Sequence, residues 1–319
     1  MTREETLAAT DAWFLEHGLS YFVPEKRADV RNALRLKRTV PLILVVALVA
    51  AGVGVGIALL TDEFSAAPAL LVTIGGLALL WYALTALHAR QIVGWALHRT
   101  LGSLRFLLPM TTRALPLLLL AITFLFINTE MWQVGGNLTL GALWLVIVLF
   151  ASLALGFLLV RLPEEVDRAD DDVDDAFLLR TTAKTPLAET ARELVDDPEA
   201  DPASYAEVTG YERWNLILVL MIVQFVQVLL LSLMVFAFLL LFGSLIISGP
   251  VQTAWDIQSP FSRTLVQVSA FLAAFSGLYL TVSTVTDEAY RAQFFGSVTR
   301  ELERAVGMRA VYLALRARA

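Results

Sequence analysis

The sequence predicts an all-α, polytopic membrane protein with six transmembrane helices, four before and two after an acidic segment. Hydrophobic residues make up 57% of the 319 residues and charged residues only 17%, with a mean hydropathy of +0.69. A soluble domain has about 25% charged residues. Several apolar runs contain no Asp, Glu, Lys or Arg and reach the roughly 20 residues that a helix needs to cross a bilayer. The acidic segment, residues 161–213, holds 16 Asp and Glu against 6 Lys and Arg.

Residues 1–38 form the first predicted unit, a cytoplasmic helical segment. They are too polar for a signal peptide, because the first apolar run begins only near Thr39. Gly18 suits the C-terminal cap of a first helix, and a second helix is expected after Pro24. Two interpretations stay open: the segment packs on the membrane domain of its own chain, or it docks a partner or lipids.

Residues 39–160 form the first predicted membrane block. Gly52 and Gly56 make a GxxxG pair, which allows close approach of helices. The third span has only 16 charge-free residues, or about 24 Å of helix, and Arg113 precedes it. Arg113 either snorkels to the membrane surface or lies at the membrane edge as a functional charge. The four spans are expected at 39–61, 64–88, 114–129 and 138–160.

The acidic segment 161–213 is predicted to be a partly disordered cytoplasmic loop. Its densest part, 164–175, has eight acids in twelve residues, and such a block repels itself. A solvated charge run is the main interpretation and loose cation binding the alternative, since no calcium-loop spacing occurs. A short helix is expected at 186–196.

Residues 214–286 form the second predicted membrane block. The run 214–255 carries no charge, and one long helix over 215–248 is expected, about 51 Å in length. Two short spans are the alternative. Gln224 and Gln227 lie three residues apart on this helix and are, with Arg113, the polar intramembrane candidates.

The last span, 264–286, carries small and polar residues at spacings of three and four. In lipid such a stripe faces other helices, because burying bulkier residues brings no hydrophobic gain there. The stripe could instead line a solute path. Its members are Gln267, Ala270, Ala274, Gly277, Thr281 and Thr284, and Phe271, Phe275, Leu278 and Val282 lie opposite.

Residues 287–319 are predicted to form an amphipathic cytoplasmic helix, either on the inner leaflet or packed against the N-terminal helices. The outer loops carry Arg263 as their one basic residue. The positive-inside rule therefore places both termini and 161–213 in the cytoplasm. The basic residues are 21 Arg and 3 Lys, a bias typical of a GC-rich bacterial genome. The expected location is the cell inner (plasma) membrane.

The sequence contains no catalytic constellation. It has no Cys, three scattered His, and no P-loop, HExxH or GxSxG motif. We therefore expect no enzyme activity, no cofactor and no metal. The expected function is a membrane scaffold, assembly factor or subunit of a membrane complex, with the lipid bilayer and cytoplasmic proteins as partners and no nucleic acid. The alternative is a permease or channel for a small solute, lined by Gln224, Gln227 and Gln267. Neither a substrate nor an oligomeric state is predicted.

Overall fold

The computed structural model describes residues 2–102, 118–171, 173–247, 250–251, 262–286 and 288–318, with the backbone alone for 101 and 284–298. The fold is 86% helix, and no strand occurs among these residues. The predicted all-α fold is confirmed. Arg113 falls outside the described residues, and so does the side chain of Thr284.

Two helices and a 3₁₀ turn form the N-terminal segment. They are α1 (Arg3–Glu16), the turn Ser20–Phe22 and α2 (Pro24–Ala33). Thr2 and Glu5 make a reciprocal capping box at the start of α1. Gly18 follows α1 with a φ of +71°, a conformation that glycine adopts without strain.

The first membrane block begins with a long helical hairpin and ends with a long single helix. Its helices are α3 (Leu36–Thr61), α4 (Ala66–Ala86), α5 (Ala89–Gly102), α6 (Leu118–Phe126), α7 (Thr129–Asn137) and α8 (Leu140–Asp170). The pair α6 and α7 is bent by 76°, and the Asn128 side chain caps α7 by accepting from Glu130 N. Residues 129–137, which the sequence placed in an outer loop, are therefore helical.

The described residues that follow α8 are mainly helical. They form α9 (Asp175–Thr182), α10 (Ala188–Val195), a 3₁₀ turn (Pro202–Tyr205), α11 (Gly210–Ile246), α12 (Arg263–Thr286) and α13 (Glu288–Ala317). Among the described residues, five helices are long and apolar enough to cross a membrane, namely α3, α4, α8, α11 and α12, and the number rises to six if the bent pair counts as one span. The long uninterrupted helix expected at 215–248 corresponds to α11.

The acidic segment, predicted to be partly disordered, is largely helical among its described residues. Helix α8 continues ten residues beyond the predicted end of its span, to Asp170. Leu162 and Val166 on this extension are fully buried, because apolar residues recur every four positions on one face while the acids occupy the other. Arg161 pairs with Glu164 and Glu165 and offsets part of the like-charge repulsion.

Five of the described helices outside the spans pack into one structure, here called the terminal body. It consists of α1, α2, α9, α10 and α13 with the adjoining ends of α8 and α11. The Tyr312 hydroxyl donates to Asp11 at 2.7 Å, and its ring meets Phe14 edge-on at 5.4 Å. Both termini therefore lie together, and α13 packs against the N-terminal helices. The opposite end of the spans is marked by the hydrogen bond between Ser65 and Thr139 (2.8 Å).

Among the spans, α12 is central and the hairpin α3–α4 is peripheral. In the most apolar stretch of α12 more than half of the residues are buried, whereas in those of α3 and α4 about a tenth or less are buried. Helix α12 contacts α7, α8, α11 and α13. This central position makes the small-residue stripe of α12 the first place to look for a site.

Candidate functional site

The stripe on α12 lies partly in helix contacts and partly along a cavity. Gly277 approaches α11 closely, because a Cβ there would lie 2.5 Å from Ser232 Oγ of that helix. Gln267 is buried and donates from Nε2 to the carbonyl of Leu138 at 2.7 Å. Thr281 is also buried and donates to the carbonyl of Gly277 at 2.9 Å. The residues of the stripe thus serve packing at some positions and border open space at others.

The cavity lies between α8, α11 and α12 and has a volume of about 420 Å³. Apolar side chains line most of it, and Ser232 and Thr281 supply hydroxyl groups. Such a lining excludes water and suits an apolar group, since a polar solute would lose its hydrogen bonds there. The stripe contributes Ala270, Ala274, Gly277 and Thr281 to its wall.

A second face of α12 is more deeply buried than the stripe. Leu265, Val268, Ser269, Leu272 and Ser276 are each at most 1% exposed. Ser269 and Ser276 repeat the small polar signal that marked the stripe. Two faces of one helix therefore carried the same signal, and sequence spacing alone could not separate them.

Gln224 and Gln227 are buried on α11, at 1% and 6% exposure. Both amide atoms of Gln224 and Oε1 of Gln227 lack a hydrogen-bond partner within the described part of the chain. Neither residue lines the cavity between α8, α11 and α12. Gln267 lies one turn from the start of α12 and is already hydrogen-bonded. Among the described residues, the three glutamines thus do not line a common cavity that could serve as a solute path.

The terminal body contains a buried charge network that the sequence analysis did not single out. Glu212, in the first turn of α11, is 4% exposed. Its Oε2 accepts from Arg309 Nε of α13 at 2.5 Å, and its Oε1 pairs with Arg27 Nη2 of α2 at 2.7 Å. Arg309 Nη1 also donates to the carbonyls of Tyr205 (2.5 Å) and Glu207 (2.9 Å). One carboxylate thus connects three segments that are far apart in sequence.

A second set of polar contacts lies one turn further along α11. Asn215 donates to the carbonyl of Gly18 at 2.9 Å and accepts from Tyr21 N at 2.7 Å. The Tyr21 hydroxyl donates to the carbonyl of Leu87 at 2.8 Å, and burial raises the pKa of this phenol to about 12. The turn after α1 is therefore fixed to both α11 and the end of α4.

These two sets are suited to holding segments together rather than to chemistry. Each oxygen of the Glu212 carboxylate is paired with a guanidinium group, and the side chain is only 5% exposed, so little of it is accessible to a substrate. In the described part of the chain, no three His, Cys, Asp or Glu side chains are grouped so that they could hold a metal ion. The signal available in the sequence was the Glu212-Arg213 pair directly before a charge-free run, but its partners could not be read from spacing.

Comparison with protein-family models, with curated proteins and with solved structures finds no match to this chain.

Proposed function

We propose that the protein is a non-catalytic membrane scaffold, acting as an assembly factor or as a subunit of a larger membrane complex. The observation that carries this proposal is the buried network around Glu212. It ties the N-terminal segment, the acidic segment and α13 to α11, which continues directly into the membrane. A body fixed in this way offers a preformed surface, and a preformed surface lowers the cost of ordering on binding.

For topology, we propose six crossings with the terminal body in the cytoplasm of a bacterial cell. Support comes from the contacts at the two ends. Tyr21 meets Leu87 beside the terminal body, whereas Thr139 meets Ser65 at the opposite end. The chain between Leu87 and Thr139 therefore has to change ends once, in addition to the crossings of α3, α4, α8, α11 and α12. The excess of Arg on the terminal side favours the cytoplasm.

The second candidate is a permease or channel for a small polar solute. Gln224 favours it, because its amide is buried in a span without a partner among the described residues. Burying an amide without a hydrogen bond costs about 2 kcal/mol or more of free energy. A hydrogen bond from the amide to a solute or water in the span would therefore be favourable. The apolar lining of the cavity between α8, α11 and α12 favours the scaffold instead.

The test of the scaffold begins with the full chain extracted from its native membrane in copolymer nanodiscs. We expect a second protein at fixed stoichiometry. Lysines at Glu189 and Glu193, on the exposed side of α10 opposite buried Ala191 and Leu194, are expected to release it. The control places lysines at Glu63 and Glu130, away from the terminal body. A chain that is extracted alone, without any partner, contradicts the scaffold.

A solute-flux assay distinguishes the second candidate. Liposomes with and without the protein are mixed with urea or glycerol, and their swelling is followed by stopped-flow light scattering. A scaffold leaves the swelling rate at the protein-free value. Faster swelling that Gln224→Leu abolishes would establish the permease and overturn the scaffold.

A further inference from the structure

The hairpin α3–α4 contains an apolar groove that is open to the surroundings of the protein. Its volume is about 420 Å³, and its walls are apolar side chains of both helices. The hairpin is closed at one end, where a Cβ on Gly54 would lie 2.8 Å from the carbonyl oxygen of Ala67. From there the groove extends along both helices toward the terminal body. Ile43 and Leu79 on the groove are 64% and 68% exposed, so lipid is the natural neighbour of this surface.

The length of the groove matches one leaflet of a bilayer. On α3 it runs from Ala50 to Thr39, or about 17 Å at 1.5 Å per residue. Half of a hydrocarbon core of about 30 Å is roughly 15 Å. The groove can therefore hold an acyl chain along its whole depth in that leaflet.

A basic cavity lies directly above the groove, between the end of α2, the start of α3 and the end of α4. Its volume is about 620 Å³, and its lining includes Arg35, Arg38, Asn32 and His88. Asp29 is the one carboxylate of this lining, and it pairs with His88 at 3.4 Å. Among the described residues, Arg35 and Arg38 form no ion pair. Neither guanidinium group is therefore compensated by an ion pair, and the two arginines outnumber the single carboxylate of the lining.

The start of α3 brings its first peptide N–H groups to the same cavity, whereas the ends of α2 and α4 bring carbonyl groups of opposite polarity. Arg35 is the N-cap residue of α3, and no side chain caps the helix. The first peptide N–H groups of a helix have no acceptor within it, and the helix dipole places partial positive charge at this end. Guanidinium groups combined with such an end favour a phosphate group.

The groove and the basic cavity adjoin one another. Ala33 and Leu34, Arg38 and Thr39, and Leu87 and His88 are neighbours in sequence, and in each pair one residue lines the basic cavity and the other the groove. At the junction the Tyr82 hydroxyl donates to the carbonyl of Ala33 at 2.6 Å. A single lipid molecule could thus place its phosphate in the basic cavity and an acyl chain in the adjoining groove.

We propose that this composite site binds one anionic glycerophospholipid of the leaflet on the side of the terminal body. Its phosphate lies between Arg35 and Arg38, and one acyl chain lies between α3 and α4. The uncompensated arginines set the preference for an anionic headgroup, and the groove sets the requirement for an acyl chain. Basic residues at the membrane surface favour anionic lipids in general; the groove makes this a site for a single molecule.

The test is native mass spectrometry of the full chain in detergent with added dioleoyl phosphatidylglycerol or dioleoyl phosphatidylcholine. We expect one phosphatidylglycerol to bind on the order of tenfold more tightly than phosphatidylcholine. Arg35→Gln with Arg38→Gln removes this preference. The control, Arg31→Gln with Lys37→Gln, removes two charges nearby and leaves it intact. Equal binding of the two lipids by the unmodified chain overturns the proposal.

The groove is tested with two neighbouring glycines of α4. Gly75 lines the groove and Gly76 does not, and a Cβ at either would have no atom within 4 Å. Gly75→Leu fills the groove and is expected to weaken binding of phosphatidylglycerol, whereas Gly76→Leu leaves it unchanged. If the arginine variant lost binding while Gly75→Leu bound phosphatidylglycerol fully, the site would recognise phosphate alone. Competition by inorganic phosphate would then confirm that the lipid proposal is wrong.

A measurement on the unmodified chain keeps the test independent of variant folding. Phosphatidylglycerol with a diazirine in its acyl chain is photolysed with the protein in nanodiscs, and the adducts are mapped by peptide mass. Adducts concentrated on the groove residues of α3 and α4 support the proposal. An even distribution over all lipid-facing helices overturns it.

Discussion

Removal of the charge of Glu212 is predicted to destabilise the terminal body strongly. Glu212→Gln keeps the shape of the side chain but leaves Arg309, which is 8% exposed, with an uncompensated buried charge. Breaking a buried ion pair from one side costs about 3–5 kcal/mol. Unfolding entropy is about 2.1 cal/mol/K per residue, so for a chain of 319 residues each 1 kcal/mol lowers the melting temperature by about 1.5 °C. The expected decrease is therefore roughly 4–7 °C.

The two arginines of the network are predicted to contribute unequally. The Arg27 side chain is 35% exposed, and that of Arg309 is 9% exposed. Solvent screens the first ion pair, so Arg27→Gln is expected to cost about 1 kcal/mol or less. Arg309→Gln also removes donors from the carbonyls of Tyr205 and Glu207, so it is expected to approach the cost of Glu212→Gln.

The assay is thermal unfolding of the detergent-purified chain, followed by tryptophan fluorescence and by the loss of the monodisperse peak on size exclusion. Glu207→Gln is the matched control, because the Glu207 side chain is exposed and contributes its backbone carbonyl alone to the network. A decrease for Glu207→Gln as large as that for Glu212→Gln would refute the reasoning. An equal decrease in melting temperature for Arg27→Gln and Arg309→Gln would refute the prediction that the more deeply buried ion pair contributes more stability.

Three further predictions concern packing, topology and pH. Gly277→Leu is expected to lower the free energy of unfolding by about 1–3 kcal/mol through overpacking against α11, whereas Phe271→Leu costs less; chemical unfolding in detergent measures both, and a costlier Phe271 change would contradict the assignment of faces. Reporter fusions after Asp175 and at Ala319 are expected to give cytoplasmic signals, and a periplasmic signal at either site would exclude the proposed topology. The raised pKa of Tyr21 in the folded state means that stability present below pH 10 is lost as the pH rises toward 12; the melting temperature of Tyr21→Phe should therefore fall less steeply over that range, and parallel curves would show that this phenol does not contribute.

The helices were predictable from the sequence wherever one physical requirement acted alone. A charge-free run of membrane length leaves few options, because an unpaired backbone inside lipid is too costly. The 37-residue α11 and the 24-residue α12 follow from this requirement. The bent pair α6–α7 did not follow, since residues 129–137 are short and polar enough for a loop and owe their helix to the Asn128 cap and to packing of Gly135 on Val268.

The candidate sites were less predictable, because they depend on contacts between distant segments. The apolar positions Leu158, Leu162 and Val166 extend α8 into the acidic segment, but the density of acids concealed that pattern. Glu212, Arg27 and Arg309 meet across 97 or more residues, and no spacing rule relates them. The stripe of α12 can be recognised in the sequence as a run of small and polar residues, but its division between helix contacts and cavity walls depends on the positions of α8 and α11.

The continuity of α11 has a mechanical consequence for the whole molecule. The helix starts within the Glu212 network, runs for 37 residues without a proline, and ends where Gly243 packs on Phe126 and Leu265. A helix of this length is about 55 Å long, so a tilt of about 5° around its network end would displace the other end by roughly 5 Å. Because no proline interrupts it, α11 is expected to move as one rigid rod. We therefore expect a displacement of the terminal body to reach the bend between α6 and α7, because Phe126 beside that bend packs against the far end of α11.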